Sequence, residues 1–212
     1  MSSPPDWFTH SRLWLVLDEA AAAPRSLLEV TRRGLAGGVD VIVFRQRNTP
    51  KQHVLELAMP VRELCRQQQA PFVLSHYPQL AAELKPDAVQ IGVADGPLTS
   101  VREALGQGTP LGYSAHSAAE AETMLAAGCS YCFLGPIFAT PEKLQYGQPI
   151  GLGPLRLDPS TQERLVAIGG ITTANVSAVL DSGVQRIAVI AAIQRQPDPA
   201  AAAAQLRRLL PG

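Results

Sequence analysis

Eight short apolar runs recur along the chain with helix-like stretches between them, and this alternation limits the possible folds more than any other feature. Most runs are continuously apolar rather than alternating, as expected for parallel strands covered on both faces. Each run with the stretch that follows fits one strand–helix unit. The predicted strands are Leu13–Leu17, Val39–Phe44, Phe72–Leu74, Ala88–Ile91, Leu111–Ser114, Tyr131–Leu134, Leu165–Ile168 and Arg186–Ile190.

Eight such units in one chain predict a compact α/β fold, a (β/α)8 TIM barrel that spans residues 1–212 as a single domain. The alternative is an open doubly wound sheet, which carries a Gly-rich phosphate loop after its first strand. Here the first predicted strand is followed by "DEAAAAPRS", which has no such loop. A glycine pair follows the seventh strand instead. Barrels often bind phosphate on the loops after strands seven and eight, so this position favours the barrel.

The overall composition narrows the class of partner. The 18 basic residues balance the 18 acidic ones, which argues against bulk binding to nucleic acid or to a membrane surface. The three cysteines are an odd number and suggest no disulfide framework. Cys129 and Cys132 form a single C-x-x-C at the start of the sixth predicted strand, with no second pair, and are expected to be core residues. No apolar run reaches membrane-spanning length, and the first residues lack the regions of a signal peptide. We therefore expect a cytoplasmic protein.

Residues at the carboxyl ends of barrel strands usually build the active site. Gly169 and Gly170 follow the seventh predicted strand, where consecutive glycines let the backbone approach an anion closely. Ala191 and Ala192 follow the eighth strand, and their small side chains leave room for the same ligand. These four residues are the predicted phosphate site.

Basic residues at two other strand ends indicate an anionic substrate. Arg45 and Arg47 alternate, so both can point to one face, and guanidinium groups suit carboxylates and phosphates. Lys143, in the loop after strand six, is a candidate third cation. Thr140 precedes it in the same loop.

Two histidines also follow predicted strands. His116 lies between strand five and the next helix, where a group with a pKa near neutrality could move a proton, and Ser114 is a candidate helper. His76, Gln90 and Asp95 are secondary candidates at the ends of strands three and four. His76 and Asp95 are too few to define a metal site, so none is predicted.

Four segments at the predicted strand ends carry recognisable motifs: "VFRQR" at 43–47, "GYSAHSAAEA" at 112–121, "GPIFATPEK" at 135–143 and "VAIGGITTANV" at 166–176. Together they resemble the motifs of the superfamily of thiamine phosphate synthases and thiazole tautomerases. The resemblance covers nearly the whole chain, from Leu15 to Leu210, and it implies a TIM barrel that acts on a phosphate ester in thiamine biosynthesis.

The chain departs from the synthase pattern where synthases hold their metal. Synthases of this superfamily join a pyrimidine diphosphate to a thiazole phosphate, with Mg²⁺ holding the leaving diphosphate. Their usual N-D-R reads Ser75-His76-Tyr77 here, and their H-x-G-Q-x-D reads "QIGVAD", ending at Asp95. His76 thus replaces a carboxylate, which should weaken a Mg²⁺ site. In addition, Val43 replaces a glutamine and Ala191 replaces a serine.

The retained residues resemble those of the thiazole tautomerase branch, which aromatises a carboxythiazole phosphate by moving a proton, without a metal. The resemblance therefore implies an isomerase that needs no cofactor and uses His116 for proton transfer. One alternative is a thiamine phosphate synthase, which would need Mg²⁺. The other is a non-catalytic barrel that binds a phosphate ester or has a regulatory role. The expected partner is a small phosphate ester rather than a nucleic acid or a membrane, with a homodimer left open.

Overall fold

The eight predicted strands close into a parallel barrel in the computed structural model, which describes residues 3–106, 108–139 and 148–212. Each strand pairs with the next in chain order, and the eighth pairs with the first. The predicted fold class is confirmed. Four strands have the predicted bounds, and the ends of the other four differ from the predicted ones by one or two residues. The strands are β1 (Leu13–Leu17), β2 (Val41–Arg45), β3 (Phe72–Ser75), β4 (Ala88–Ile91), β5 (Leu111–Ala115), β6 (Tyr131–Leu134), β7 (Leu165–Ile168) and β8 (Ile187–Val189).

One short helix precedes the first strand, and the other helices follow the strands and pack against the outside of the barrel. Within the described ranges, none of them is long and apolar enough to cross a membrane. They are α1 (Asp6–His10), α2 (Glu19–Ala22), α3 (Leu27–Ala36), α4 (Lys51–Gln67), α5 (Ala81–Leu84), α6 (Leu98–Leu105), α7 (Ala118–Ala126), α8 (Pro159–Gln162), α9 (Val176–Leu180), α10 (Ala191–Gln194) and α11 (Pro199–Leu209).

Successive side chains of each strand point alternately into two apolar regions. One region lies inside the barrel, and the other lies between the barrel and the helices. In β1, Trp14 and Val16 belong to the inner region, whereas Leu15 and Leu17 belong to the outer one. Both regions are buried, which explains why the strands read as continuous apolar runs. Toward the carboxyl ends, the inward positions become polar. Ser75, Gln90 and Ser114 stand there, at the end of the barrel where a site is expected.

A short N-terminal helix, not predicted from the sequence, adds an aromatic residue to the core inside the barrel. Phe8 of α1 is fully buried, with its ring centroid 5.1 Å from that of Tyr131 and 5.7 Å from that of Trp14. The guanidinium of Arg186 lies 4.4 Å from the centroid of the Phe8 ring, and its Nε donates to the Phe8 carbonyl at 3.0 Å. Burial lowers the pKa of Arg186 to about 10. A cation over an aromatic face is attracted to it, so Arg186 ties α1 to the barrel.

Cys129 and Cys132 are buried free thiols, as predicted for core residues. Burial raises the pKa of Cys129 to about 11 and raises that of Cys132 further above its ordinary value. A reactive cysteine needs a lowered pKa, so burial and the raised pKa of both thiols fit packing groups.

Candidate functional site

A cavity of about 150 Å³ lies among residues at the carboxyl ends of the strands. Most of its polar side chains come from β2 to β5 and from the loops that follow these strands. They include many of the residues predicted from the sequence as site residues: Arg45, Arg47, Ser75, His76, Gln90, Ser114 and His116.

His116 lies in the turn between β5 and α7, and one of its ring nitrogens is hydrogen-bonded to the protein backbone. Its Nδ1 lies 2.9 Å from the carbonyl oxygen of Gly135, in the loop after β6. A carbonyl oxygen can only accept, so Nδ1 carries the proton and donates it. The neutral ring then has its lone pair on Nε2. The predicted role of His116 as a proton acceptor therefore falls on Nε2.

Glu120 fixes the turn that carries His116. Its carboxylate accepts from the His116 amide at 2.7 Å and from the Tyr113 hydroxyl at 2.9 Å. Ser117 caps α7 in return by accepting from the Glu120 amide at 3.1 Å. Burial, and then the hydrogen bond and charge of Glu120, raise the pKa of Tyr113 to about 12. The Ser117-x-x-Glu120 spacing is that of a capping box, so the sequence carried a signal for this residue.

His76 is held by a carboxylate in the loop after β4. Its Nδ1 lies 2.8 Å from Asp95 Oδ2, and the same oxygen accepts from the Gly92 amide at 2.8 Å. His76 and Tyr77 both have a left-handed backbone, with φ of 63° and 53°. Such conformations are uncommon outside glycine and persist where the surroundings fix them. Here the Tyr77 hydroxyl donates to the Thr49 carbonyl at 2.8 Å and pins the turn.

The groups at the superfamily's metal position do not fit Mg²⁺. This ion prefers near-octahedral oxygen coordination, but His76 offers nitrogen. Oδ2 of Asp95 is already shared by the His76 ring and the Gly92 amide. Among the described residues, no three His, Cys, Asp or Glu side chains come together as a candidate metal site. The pair is arranged as a hydrogen-bonded carboxylate and imidazole.

Arg45 is positioned by an acidic partner that the sequence analysis missed. Its Nη1 donates to Asp18 Oδ2 at 2.9 Å, and its side chain is 17% exposed. Asp18 also caps α2 by accepting from the Ala21 amide. Asp18 directly follows β1, so its place at a strand end was the available signal. Arg45 and Arg47 both line the cavity, as their alternation predicted.

Gln90 and Ser114 form a hydrogen-bonded pair on the cavity wall. Gln90 is almost fully buried and donates through Nε2 to Ser114 Oγ at 3.0 Å. Because Ser114 accepts here, its own hydroxyl proton is available to another group. This arrangement suits the helper role predicted for Ser114.

Gly169 and Gly170 do not line the cavity but follow Ile168, which does. Both have positive φ, 102° and 67°. The loop after β6 packs directly on them, with the Phe138 amide donating to the Gly169 carbonyl at 3.0 Å. A Cβ on Gly170 would lie 2.8 Å from the Phe138 Cβ. This close approach already accounts for both glycines, so their phosphate-binding role stays a prediction.

Ala191 and Ala192 open α10, directly after Ile190, which lines the cavity. The first amides of a helix have no partner inside it, but these two alanines do not themselves line the cavity, and their role stays a prediction. Thr140 and Lys143 lie outside the described residues.

The fold and the cavity define a TIM-barrel protein whose candidate site is rich in imidazole and guanidinium groups. Residues 13–193 match the family model of thiamine monophosphate synthase. The chain therefore belongs to this family, whose members act in thiamine biosynthesis.

Relatives and solved structures agree with this assignment. The chain is 35% identical over 198 residues to the thiamine-phosphate synthase of Desulfitobacterium hafniense (strain Y51), covering 93% of this chain and 96% of the relative. It is 34% identical over 206 residues to the thiamine-phosphate synthase of Chloroflexus aurantiacus, covering 97% and 93%. A solved thiamine phosphate pyrophosphorylase from Pyrococcus furiosus superposes with a TM-score of 0.84 at 29% identity, covering 96% of this chain and 97% of that one.

The resemblance to the superfamily is thus confirmed. The finer placement in the tautomerase branch is not supported by these names, because the relatives are named as synthases. The comparisons favour the synthase alternative.

Proposed function

We propose that this thiamine-biosynthesis enzyme binds a thiazole phosphate ester in the cavity and aromatises a carboxythiazole phosphate without a metal. The observation that carries the proposal is the hydrogen bond of His76 Nδ1 to Asp95 Oδ2 at 2.8 Å. An imidazole stands where synthases of the superfamily place a carboxylate ligand. This exchange removes an oxygen ligand and adds a group suited to proton transfer.

The cavity supplies the groups that such an isomerisation needs. The reaction breaks one C–H bond, shifts electron pairs through the conjugated system and forms a new C–H bond elsewhere, so atoms and charge balance. His116 Nε2 accepts a proton, and Ser114 offers its hydroxyl to charge that develops on the substrate. Arg45 and Arg47 hold the anionic groups. The backbone near Gly170 and Ala191 is the proposed phosphate site.

Thiamine phosphate synthesis is the second candidate. It is favoured by the names of relatives at 34 to 35% identity that match more than nine-tenths of the chain. Both candidates bind a thiazole phosphate, so the phosphate site alone does not distinguish them. They differ in their second substrate and in their need for Mg²⁺.

One experiment separates the candidates. The protein is incubated with the carboxythiazole phosphate tautomer, and separately with the pyrimidine diphosphate and thiazole phosphate, each with EDTA or with Mg²⁺. ¹H and ³¹P NMR follow aromatisation and diphosphate release. We expect aromatisation at equal rates with EDTA and with Mg²⁺. Diphosphate release that EDTA abolishes and Mg²⁺ restores would establish the synthase instead. Binding of the phosphate esters without turnover would favour a non-catalytic barrel.

A further inference from the structure

The two histidines of the cavity share one hydrogen-bonding arrangement. His116 has its Nδ1 on the Gly135 carbonyl at 2.9 Å, and His76 has its Nδ1 on the Asp95 carboxylate at 2.8 Å. An ionised carboxylate, like a carbonyl, only accepts hydrogen bonds. Both Nδ1 atoms are therefore donors, and in its neutral form each ring carries its lone pair on Nε2.

Both Nε2 atoms are available for a ligand. Each histidine lines the cavity, and within the described residues neither Nε2 has a hydrogen-bond partner. His76 follows β3 and His116 follows β5, with Gln90 of β4 between them on the wall. A flat ring in the cavity would thus meet the two imidazoles at separate places along its edge or faces.

Several hydrogen bonds hold the turn that carries His76 and fix the orientation of its ring. The His76 amide donates to the Gln90 carbonyl at 2.9 Å, while Asp95 holds the ring. The left-handed backbone at His76 and Tyr77 is kept by the Tyr77 hydroxyl bonds to both backbone groups of Thr49. A surface histidine needs no such support, and backbone strain of this kind is concentrated at functional sites.

We infer that His76 is a second proton-transfer group of the cavity, oriented by Asp95. His76 and His116 would each carry out one of the two proton transfers of the isomerisation. The inference rests on the proposed function. One imidazole Nε2 takes the proton from the C–H bond that breaks, and the other imidazole delivers a proton where the new C–H bond forms. The electron pair passes through the conjugated ring system, so the substrate gains and loses one proton and no oxidant is required. Asp95 is a positioning residue.

The first test uses kinetics of single variants on the carboxythiazole phosphate tautomer. Asparagine is the replacement because it tolerates a left-handed backbone and keeps a donor for Asp95. We expect His76→Asn to lower kcat at least about tenfold, within the range of general acid–base groups, with KM changed less than about threefold. His53→Asn is the matched control, since His53 is an exposed residue of α4 with surface carboxylate neighbours. It should leave both constants unchanged.

The second test follows the substrate in D₂O. With two proton-transfer groups, one of the variants His76→Asn and His116→Asn should still exchange the proton of the breaking C–H bond with solvent while forming little product. The other variant should do neither. Loss of exchange in both variants overturns the division between the two histidines, as does a His76→Asn kcat within about twofold of the wild type.

The third test measures which ring nitrogen of His76 carries the proton. ¹⁵N NMR of the histidine side chains should show the neutral His76 ring protonated on Nδ1, and Asp95→Asn should disturb that signal and lower kcat without a matching rise in KM. A His76 ring protonated on Nε2 overturns the inference. A wild-type protein without isomerase activity overturns the proposed function and the shared proton transfer together, whereas an active wild type with an active His76→Asn variant overturns only the inference.

Discussion

Replacing Glu120 with alanine removes a carboxylate that accepts from the His116 amide and from the Tyr113 hydroxyl of β5. The variant loses the hydrogen bonds from the His116 amide at 2.7 Å and from the Tyr113 hydroxyl at 2.9 Å. A hydrogen bond to a charged group contributes about 1.5 to 3 kcal/mol, and less where water competes. Tyr113 is buried and the His116 amide is exposed, so we expect a total loss of about 2 to 3 kcal/mol of unfolding free energy.

Urea and thermal denaturation followed by circular dichroism measure this loss. For a chain of this length, the loss corresponds to a fall in Tm of about 5 to 10 °C. Glu122→Ala is the matched control, because Glu122 lies on the exposed side of the same helix, and it should change the unfolding free energy by no more than about 0.5 kcal/mol. Equal losses in the two variants would refute the role given to Glu120.

The pKa of Tyr113 provides an independent measurement on the same variant. Burial is the larger cause of its rise to about 12, and Glu120 adds to it. In Glu120→Ala the pKa should fall but stay above the ordinary tyrosine value, which an alkaline titration of the near-ultraviolet spectrum measures. An unchanged pKa would mean that the Tyr113 hydroxyl does not depend on Glu120.

Three further predictions follow from the site. His116→Asn should lower kcat about 10²- to 10⁴-fold with KM nearly unchanged, as measured by NMR rates; a kcat within about twofold of the wild type contradicts the role. Gly170→Ala should lower the unfolding free energy by about 1 to 3 kcal/mol and weaken phosphate-ester binding, because its φ is 67° and its Cβ would meet Phe138. Gly108→Ala, which adds a Cβ into open space, should do neither in denaturation and titration calorimetry. Finally, the folded pKa of Tyr113 is raised to about 12 against about 10 in the unfolded chain. The stability it contributes is therefore complete below pH 10 and lost as pH rises to about 12. The unfolding free energy of Tyr113→Phe, measured by urea denaturation at a series of pH values, should therefore fall less than that of the wild type between pH 10 and about 12.

Much of the fold could be predicted because the barrel buries both faces of every strand. Continuous apolar runs mark such strands without any partner being known, and their number and order then define the barrel. The ends were harder to place. β2 begins at Val41 rather than Val39, and Asp40 next to it accepts from the amides of Arg12 and Leu13 at 2.8 Å each. Local hydrophobicity carries no information on such a long-range contact.

The positions of the site residues were predictable, but their partners were not. The strand-end rule selected Arg45, His76 and His116, and all three line the cavity. It did not indicate that Asp18 holds Arg45, since the two residues are 27 positions apart. The buried contact of Phe8 with Arg186 spans 178 positions. The first pairing arises when β1 and β2 come together, and the second arises when β8 pairs with β1 and closes the barrel.

His76 is one of the side chains at which this chain departs from the synthase pattern, and the proposed function rests most on it. A carboxylate at position 76, facing Asp95, would place two like charges within hydrogen-bond distance, which is unfavourable unless a cation lies between them. An imidazole at the same position donates Nδ1–H to Asp95 at 2.8 Å and needs no cation. The same exchange leaves Nε2 as a proton acceptor at the cavity. In the proposed reaction, a single exchange of side chain at position 76 therefore removes the oxygen ligand and adds a proton-transfer group. For this reason, Asp95 fits the proposed metal-free reaction even though it is the ligand that the synthase pattern would retain.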